Sequence, residues 1–383
     1  MKQKLFRMTT IPLSLNLLLQ GQLRFLNQYY QVTAIADGND LKSWEAVIER
    51  EKVQTKKIPM KRDISIFSDI KSLGLLYLFF LKEKPYIVHT NTPKASLLGM
   101  IAAFMAGVPH RIYTVTGLRF EGEKGLKRKL LITMEKITCL TATKVIPEGN
   151  GVKQTIKKNK ITKKPLNVIG NGNINGIDPD LFNPEVISPE DRAKLKEDLN
   201  IYAEDFVYVF VGRLVSNKGI SELVKAFTQI NTGYQHVKLL LIGPFEKELD
   251  PLDDVTMSTI EENRNIILTG FQSDIRPYLA ISDVFVFPSY REGFPNVVMQ
   301  AGAMGLPSVV TDINGCNEII TDQLNGLVIP PRNVNSLKER MEMYLTDKST
   351  LQKHQSEARS RIVSRFSQKD VWNSLLNEYK ALD

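Results

Sequence analysis

Cysteine is nearly missing from this chain: Cys139 and Cys316 are the only two in 383 residues. Two thiols so far apart build no disulfide framework, so the fold must rest on a hydrophobic core, and the usage fits a reducing compartment. Histidine is scarce too. His89, His110, His236 and His354 are scattered, with no His-Glu-x-x-His or Cys-x-x-Cys pairing, which argues against a structural zinc site. Long apolar runs are also lacking. The N-terminal MKQKLFRMTTIPLSLNLLLQGQ starts like a leader, with basic residues before apolar ones. Thr9, Thr10, Pro12, Ser14 and Asn16 interrupt it and no small-residue cleavage site follows, so it reads as a first strand and helix. Leu73 to Leu81 is greasy but falls well short of the ~20 residues that span a bilayer. No short repeat and no low-complexity tract occurs.

What remains is ordinary globular chemistry, 43% hydrophobic and 24% charged. The length exceeds what one core supports, so two domains are expected. The net charge of +8 is uneven. Residues 1–185 hold 29 Lys and Arg against 15 Asp and Glu, while residues 186–383 hold 21 against 27. A basic half joined to an acidic half points to an anionic partner for the first: nucleic acid, anionic lipid or a phosphorylated substrate. The densest cluster, Lys153, Lys157, Lys158, Lys160, Lys163 and Lys164, fits either that role or a solvated face.

Short β-branched runs alternate with helical stretches. The runs at 30–37, 85–90, 110–117 and 143–149 sit among helical stretches such as 64–83, 93–106 and 124–140. After a Pro-rich stretch near 179–189 the series restarts at 206–214, 237–243, 265–271, 283–289, 306–312 and 326–331. This alternation predicts parallel sheets in two doubly wound α/β domains facing one cleft. The boundaries read as 1–180 and 186–365, with a last helix, about 368–383, placed to cross back onto the first domain.

Ligands of open α/β sheets bind outside the carboxyl ends of the strands. Three stretches there carry chemistry. In VFVGRLVSNKGI a strand ends at Gly212, and Arg213 and Lys218 follow before a helix Ile220 to Ile230. Two cations and the free amides of a helix start suit a phosphate or diphosphate, the alternative being a plain basic surface loop. Strands ending at Gly243 and Gly270 admit a flat ligand close to the backbone, though each taken singly reads equally as a simple turn. In PSYREGFPNVVMQAGAMGLP, Glu292 sits in a Gly/Pro-flanked turn, with Asn296 as the expected N-cap of a helix 297–304. Amides of Gly293 to Val297 can donate to sugar hydroxyls or phosphate, Glu292 can accept from hydroxyls, and Gln300 lies a turn into the helix. The alternative is a plain surface pair of Glu292 with Arg291 or Arg276, worth only ~0–1 kcal/mol.

The segment EGFPNVVMQAGAMGLPSVVTDINGCNEII resembles the donor-binding signature of the family 4 retaining GT-B glycosyltransferases, a glutamate, seven residues and a second glutamate. FVGRLVSNKGI resembles that family's diphosphate loop, and NGNINGIDPDLFNP its interdomain linker. PYIVHTNTPKASLLGMIAAFMAGVPHRIYTVTGLRFE is similar to the branch that builds capsular and O-antigen polysaccharides. The resemblance implies a GT-B fold and a catalytic set of Arg213, Lys218 and Glu292. The two cations would stabilise charge on the departing nucleotide, and Glu292 would meet the donor sugar. Gly212, Gly243, Gly270, Phe271, Gly293, Phe294, Pro295, Asn296, Val297 and Gln300 would line the donor, with Pro295 lacking an N–H to offer. Ser14, His89, Thr116, Gly117, Arg119 and Glu121 would form the acceptor side, where His89 equally reads as a satisfied, partly buried residue.

Two positions depart from the family. Gln300 stands where the second glutamate holds the ribose; an amide offers one acceptor where a carboxylate offers two. Thr116 stands where many relatives carry a histidine, and cannot carry a proton at neutral pH. Retaining transfer can use the leaving phosphate as its base, and Arg119 or Glu121 shares the loop. Asp178-Pro179-Asp180 has a metal-binding spelling but falls in the linker, so neither metal nor cofactor is expected beyond a UDP-linked sugar donor, an N-acetylhexosamine or related sugar. The implied partners are that donor, a lipid-diphosphate-linked saccharide and an anionic membrane surface, with no nucleic acid. The implied place is cytoplasmic, peripheral on the inner face of a bacterial membrane. Residues 71–85 read as a packed helix or an interfacial one. Two rivals are an inactive nucleotide-sugar-binding subunit of an assembly complex and a nucleotide-sugar epimerase on the same fold.

Overall fold

A computed structural model describes residues 2–61, 63, 65–246 and 250–382. The chain divides into two units, the first running to Gly176 and regaining the segment from Gln368 on, the second spanning Ile177–Ser367. In the first, the order is β1 (Lys4–Met8), α1 (Pro12–Leu18), α2 (Gln22–Leu26), β2 (Gln31–Ala36), α3 (Leu41–Glu51), β3 (Gln54–Lys57), α4 (Ile66–Glu83), β4 (Ile87–Thr90), α5 (Pro93–Met105), β5 (His110–Val115), α6 (Gly125–Thr141), β6 (Lys144–Pro147) and α7 (Asn150–Lys158). In the second it is α8 (Pro189–Asp198), β7 (Phe206–Val211), α9 (Ile220–Gly233), β8 (Val237–Ile242), α10 (Asp254–Glu262), β9 (Ile266–Gly270), α11 (Arg276–Ala280), β10 (Val284–Phe287), α12 (Asn296–Ala303), β11 (Ser308–Thr311), α13 (Cys316–Ile319), β12 (Gly326–Ile329), α14 (Val334–Thr346) and α15 (Lys348–Phe366). Helix α16 (Gln368–Lys380) closes the chain within the first unit.

Both sheets are parallel and share one strand order. The first reads β3-β2-β1-β4-β5-β6 and the second β12-β11-β10-β7-β8-β9, the doubly wound order whose direction reverses between its first and fourth strands. Helices cover both faces, which is why central strands such as β8, VKLLLI, are apolar at nearly every position. In the first unit, Phe6 and Leu76 belong to a core on the α4–α6 side, and Leu5 and Leu376 to a core on the α16 side. The second unit has one large core centred on β7, β8 and β10.

Three local features differ from the sequence expectation. β3, QTKK, has no counterpart in it: its lysines and short length are those of a guarded edge strand and carry no hydrophobic signal. α12 begins at Asn296 with Pro295 in the capping position, so Asn296 is the first helical residue and not the N-cap. α9 runs on to Gly233. Ile64 and Asp383, inside the expected helices 64–83 and 368–383, lie outside the described residues.

The return of α16 is held by specific chemistry. Trp372 packs its ring 5.2 Å from Phe25 and donates Nε1–H to Asn175 Oδ1 at 2.7 Å. Tyr379 accepts from Arg7 at 2.7 Å. In the linker motif, Asn173 Oδ1 accepts from the amides of Asn175 and Gly176, and Asp178 Oδ1 from those of Asp180 and Leu181. These side chains shape turns. Among the described residues, no group of three or more His, Cys, Asp or Glu side chains is placed to hold a metal.

Candidate active site

The direction of the second sheet reverses between β7 and β10, the place where open α/β sheets bind ligands, and the loops leaving their carboxyl ends meet there. The β7 loop carries Lys218 in a single tight turn, Ser216–Lys218. The β10 loop carries Glu292. Lys218 Nζ and Glu292 Oε1 form an ion pair, with side chains 15% and 16% exposed. Ser289, fully buried, donates to the same Oε1 at 2.7 Å. Thr311, at the end of β11, donates its hydroxyl to the Ser289 carbonyl. Lys218 also lies 5.2 Å from the centre of the Phe287 ring. Glu292 thus accepts from the Ser289 hydroxyl, whose backbone Thr311 braces, and from the Lys218 ammonium.

Backbone contacts set the spacing of the two loops. Tyr290 N–H donates to the Asn217 carbonyl at 2.9 Å, and Asp250 accepts from Asn217 N–H at 2.9 Å. Gly219 has φ +73, and a Cβ there would sit 2.2 Å from the Pro288 carbonyl oxygen. Only glycine lets the Lys218 loop pass so close to the end of β10. At Gly243, φ +141, a Cβ would lie 1.9 Å from the Gly212 oxygen. Gly212, Gly243 and Gly270 therefore end three neighbouring strands side by side, with Gly243 N–H donating to the Gly270 carbonyl at 2.8 Å. Phe271 beyond them is 66% exposed.

The other expected donor residues divide. Arg213, on the same loop as Lys218, is ion-paired to Glu246. Gln300 is half-buried on α12, and its side-chain amide has no hydrogen-bond partner among the described residues. Asn296 and Val297 are half-buried, and Gly293 and Pro295 are buried. The Phe294 side chain is core: it is 5% exposed and meets Phe366 edge-on at 5.5 Å. Only its backbone can serve a ligand. Arg276 binds Asp274 and not Glu292, so the surface-pair alternative with that arginine does not hold.

In the first unit, Ser14 on α1 and Thr116 and Gly117 after β5 lie at the carboxyl edge, all half-buried. Arg119 and Glu121 are exposed, and Glu121 accepts from Thr155 on α7 at 3.0 Å. Of the two readings of His89, the buried one describes its surroundings. It lies inside β4, paired across to Arg7 and Ile112, and is 1% exposed. Its Nδ1 faces Arg7 and the Tyr379 hydroxyl, and its Nε2 lies 2.7 Å from Thr114 Oγ1. Burial, then the charge of Arg7, pushes its pKa well below the usual imidazole range. It is a buried, hydrogen-bonded residue that resists protonation, and with Arg7, Asn91 and Thr114 it lines a small internal cavity.

Comparison with known proteins decides the family. The model for group 1 glycosyl transferases matches residues 191–361, and that for the glycosyl transferase 4-like domain matches residues 23–172. Staphylococcus aureus CapM, a capsular polysaccharide biosynthesis glycosyltransferase, is 36% identical over 381 residues, 98% of this chain and 97% of its own. The chain is a group 1 glycosyltransferase. The glycosyltransferase is also 32% identical, over 80% of its length and 78% of the relative's, to an Escherichia coli enzyme named UDP-Gal:alpha-D-GlcNAc-diphosphoundecaprenol alpha-1,3-galactosyltransferase. Among solved structures, Anabaena HepE with UDP-glucose superposes with TM-score 0.83 at 18% identity over 99% of both chains, which establishes the GT-B fold.

Sequence reasoning missed several residues of the glycosyltransferase that frame the Glu292 loop. Ser289 and Thr311 carry no signal of their own, because a turn serine and a strand-end threonine are common and their partners are remote in sequence. Asp250, which fixes Asn217, falls in a loop with no motif. Cys316, buried close to Glu292, keeps its proton: burial first and the nearby carboxylate second push the thiol well above its usual range.

Proposed function

We propose that this glycosyltransferase moves a sugar from a UDP-sugar, an N-acetylhexosamine or related sugar, to a lipid-diphosphate-linked saccharide in capsule or O-antigen assembly. We place it at the inner face of the cytoplasmic membrane, with retention of configuration and no metal. The observation that carries the reading is the meeting of Lys218 and Glu292 at the switch point, beside three glycine-ended strands. The resemblance to the Glu-x7-Glu family, the named substrates of the Escherichia coli relative and the UDP-glucose bound by HepE support it.

In this reading Arg213 and Lys218 take the diphosphate, Glu292 accepts from the donor-sugar hydroxyls, and Gln300 meets the ribose. The bond from the sugar's anomeric carbon to the phosphate oxygen breaks, and its electrons go to the diphosphate, where the two cations stabilise the charge. The acceptor hydroxyl bonds to the anomeric carbon on the same face, and its proton passes to the departing phosphate oxygen. Diphosphate binding requires Lys218 to exchange Glu292 for phosphate, freeing Oε1 for the sugar.

Thermal melts without metal test this. UDP at 100 times its dissociation constant should stabilise the protein by ~2.7 kcal/mol, with GDP and ADP weaker. Arg213→Ala and Lys218→Ala should abolish the shift, and Gln300→Glu should enlarge it. Transfer of labelled sugar to a lipid-diphosphate saccharide completes the test. No shift with UDP overturns the donor assignment, and a UDP shift with no transfer to any such acceptor overturns the acceptor.

A further inference from the structure

Helix α5 packs between α4 and α6 on one face of the first unit's sheet. The inner sides of the outer two helices are conventional: Leu76 and Phe80 of α4 and Leu131 of α6 are core. Their outer sides are not. A surface helix normally turns polar residues to solvent. Here Phe67, Ile70 and Leu78 on α4 and Leu126, Leu130 and Leu140 on α6 are exposed, Phe67 by 90% and Leu126 by 84%. At about 3.6 residues per turn each set falls on one side of its helix: Phe67 and Ile70, and Leu126 and Leu130, lie one turn apart, and Leu78 and Leu140 follow two to three turns on, with Leu75 and Ile137 more than a third exposed in the gaps. So much exposed apolar surface in one region calls for an occupant.

The charges beside the stripes have one sign. Lys71 and Lys82 on α4 and Lys129 and Lys136 on α6 are exposed. The acids of these helices are already engaged: Asp69 by Lys94, Glu83 by Lys4 and Glu135 by Tyr113. A second copy of the chain is a poor match, because a two-fold contact would set each face's lysines near the other's. A bilayer surface with anionic headgroups satisfies stripes and lysines together. No helix among the described residues is long and apolar enough to cross a membrane, so the helices would lie in the interface.

We propose that the outer faces of α4 and α6 form a membrane-docking surface, with apolar side chains entering the headgroup–acyl boundary of an anionic bilayer and lysines meeting the lipid phosphates. The proposal rests on the lipid-linked acceptor reading and names the surface that brings the enzyme to it.

Flotation with phosphatidylglycerol/phosphatidylcholine vesicles tests it, on the full chain and on Phe67→Asp/Leu126→Asp. Both side chains are exposed, so the variant should melt like the parent and keep the UDP shift. The parent should float and retain part of its binding in about 1 M NaCl, where screening acts within about 3 Å. The variant's partitioning should fall about tenfold or more. Phe67→Trp should blue-shift its emission on vesicles, and Val255→Trp, exposed on the second unit, should not. Failure of the parent to float, with the UDP shift intact, sinks the docking surface and leaves the donor reading standing. Vesicle binding lost entirely in salt and indifferent to the two aspartates assigns the contact to lysines elsewhere. A dimer that the aspartates dissociate, without vesicle binding, hands the face to a second copy. Absence of the UDP shift counts against the donor reading whatever the vesicles do.

Discussion

Lys218 and Glu292 each keep about a sixth of their side-chain surface in solvent, so each would leave a largely buried charge if the other were removed. Losing one partner of a buried pair costs more than losing both. Lys218→Met and Glu292→Gln should each destabilise the second unit by about 1–3 kcal/mol, and the double variant by less than their sum, with a coupling of about 1–2 kcal/mol. Denaturant titrations of the four proteins measure it, and strict additivity would mean the pair is a passive contact. The types of these two residues, and their places at strand ends, are legible in the sequence. That they touch is not, because it depends on which strands are neighbours. His89 shows the opposite limit. Its sequence position leaves a strand-end contact and a satisfied, buried residue equally open, and only the β4 pairing that extends through it and the buried arginine against it show the second.

At the scale of an element, the three glycine-ended strands define how the donor edge is built, and Gly243 is the strictest of them. A methyl group would collide with the Gly212 backbone oxygen at 1.9 Å, and φ +141 is unfavourable for any side chain. Gly243→Ala should cost about 2–4 kcal/mol and displace the loop carrying Arg213, weakening the UDP shift as well. Gly74 provides the contrast. It lies within α4, and a methyl group added there would meet nothing within 4 Å, so Gly74→Ala should stabilise by up to about 1 kcal/mol through helix propensity. Equal melting effects of the two would refute the steric account. Element types and order follow from period and punctuation. The boundaries that differ, at Pro295–Asn296 and Gly233, are helix ends, where local signals are weakest. β3 is invisible in the sequence because a charged edge strand carries none of the apolar pattern on which strands are recognised.

For the molecule as a whole, two buried groups of the first unit oppose each other as pH changes. His89 resists protonation, through burial first and then Arg7, so below pH about 6.5 the unfolded chain binds the extra proton. Stability from this group is full above that pH and falls on acidification, by at most about 1.4 kcal/mol per pH unit. Glu135 is raised from 4.5 to about 7 by burial, against the hydrogen bond from Tyr113. The folded state therefore holds its proton between pH 4.5 and about 7, and this group's contribution is full in acid and fades as pH rises through that window. Between about pH 4.5 and 6.5 the two slopes have opposite signs and largely cancel. Glu135→Gln should expose the histidine's slope, leaving β4 and β5 progressively less protected as pH drops below about 6.5. His89→Gln should expose the carboxyl's slope, with protection falling as pH climbs toward 7. Amide hydrogen exchange in β4 and β5 reads the first unit alone, so His354 of the second unit, also depressed by burial, does not enter. Parallel profiles for the two variants would mean that neither group titrates differently on folding. Reversed slopes would mean the buried charges are assigned the wrong way round.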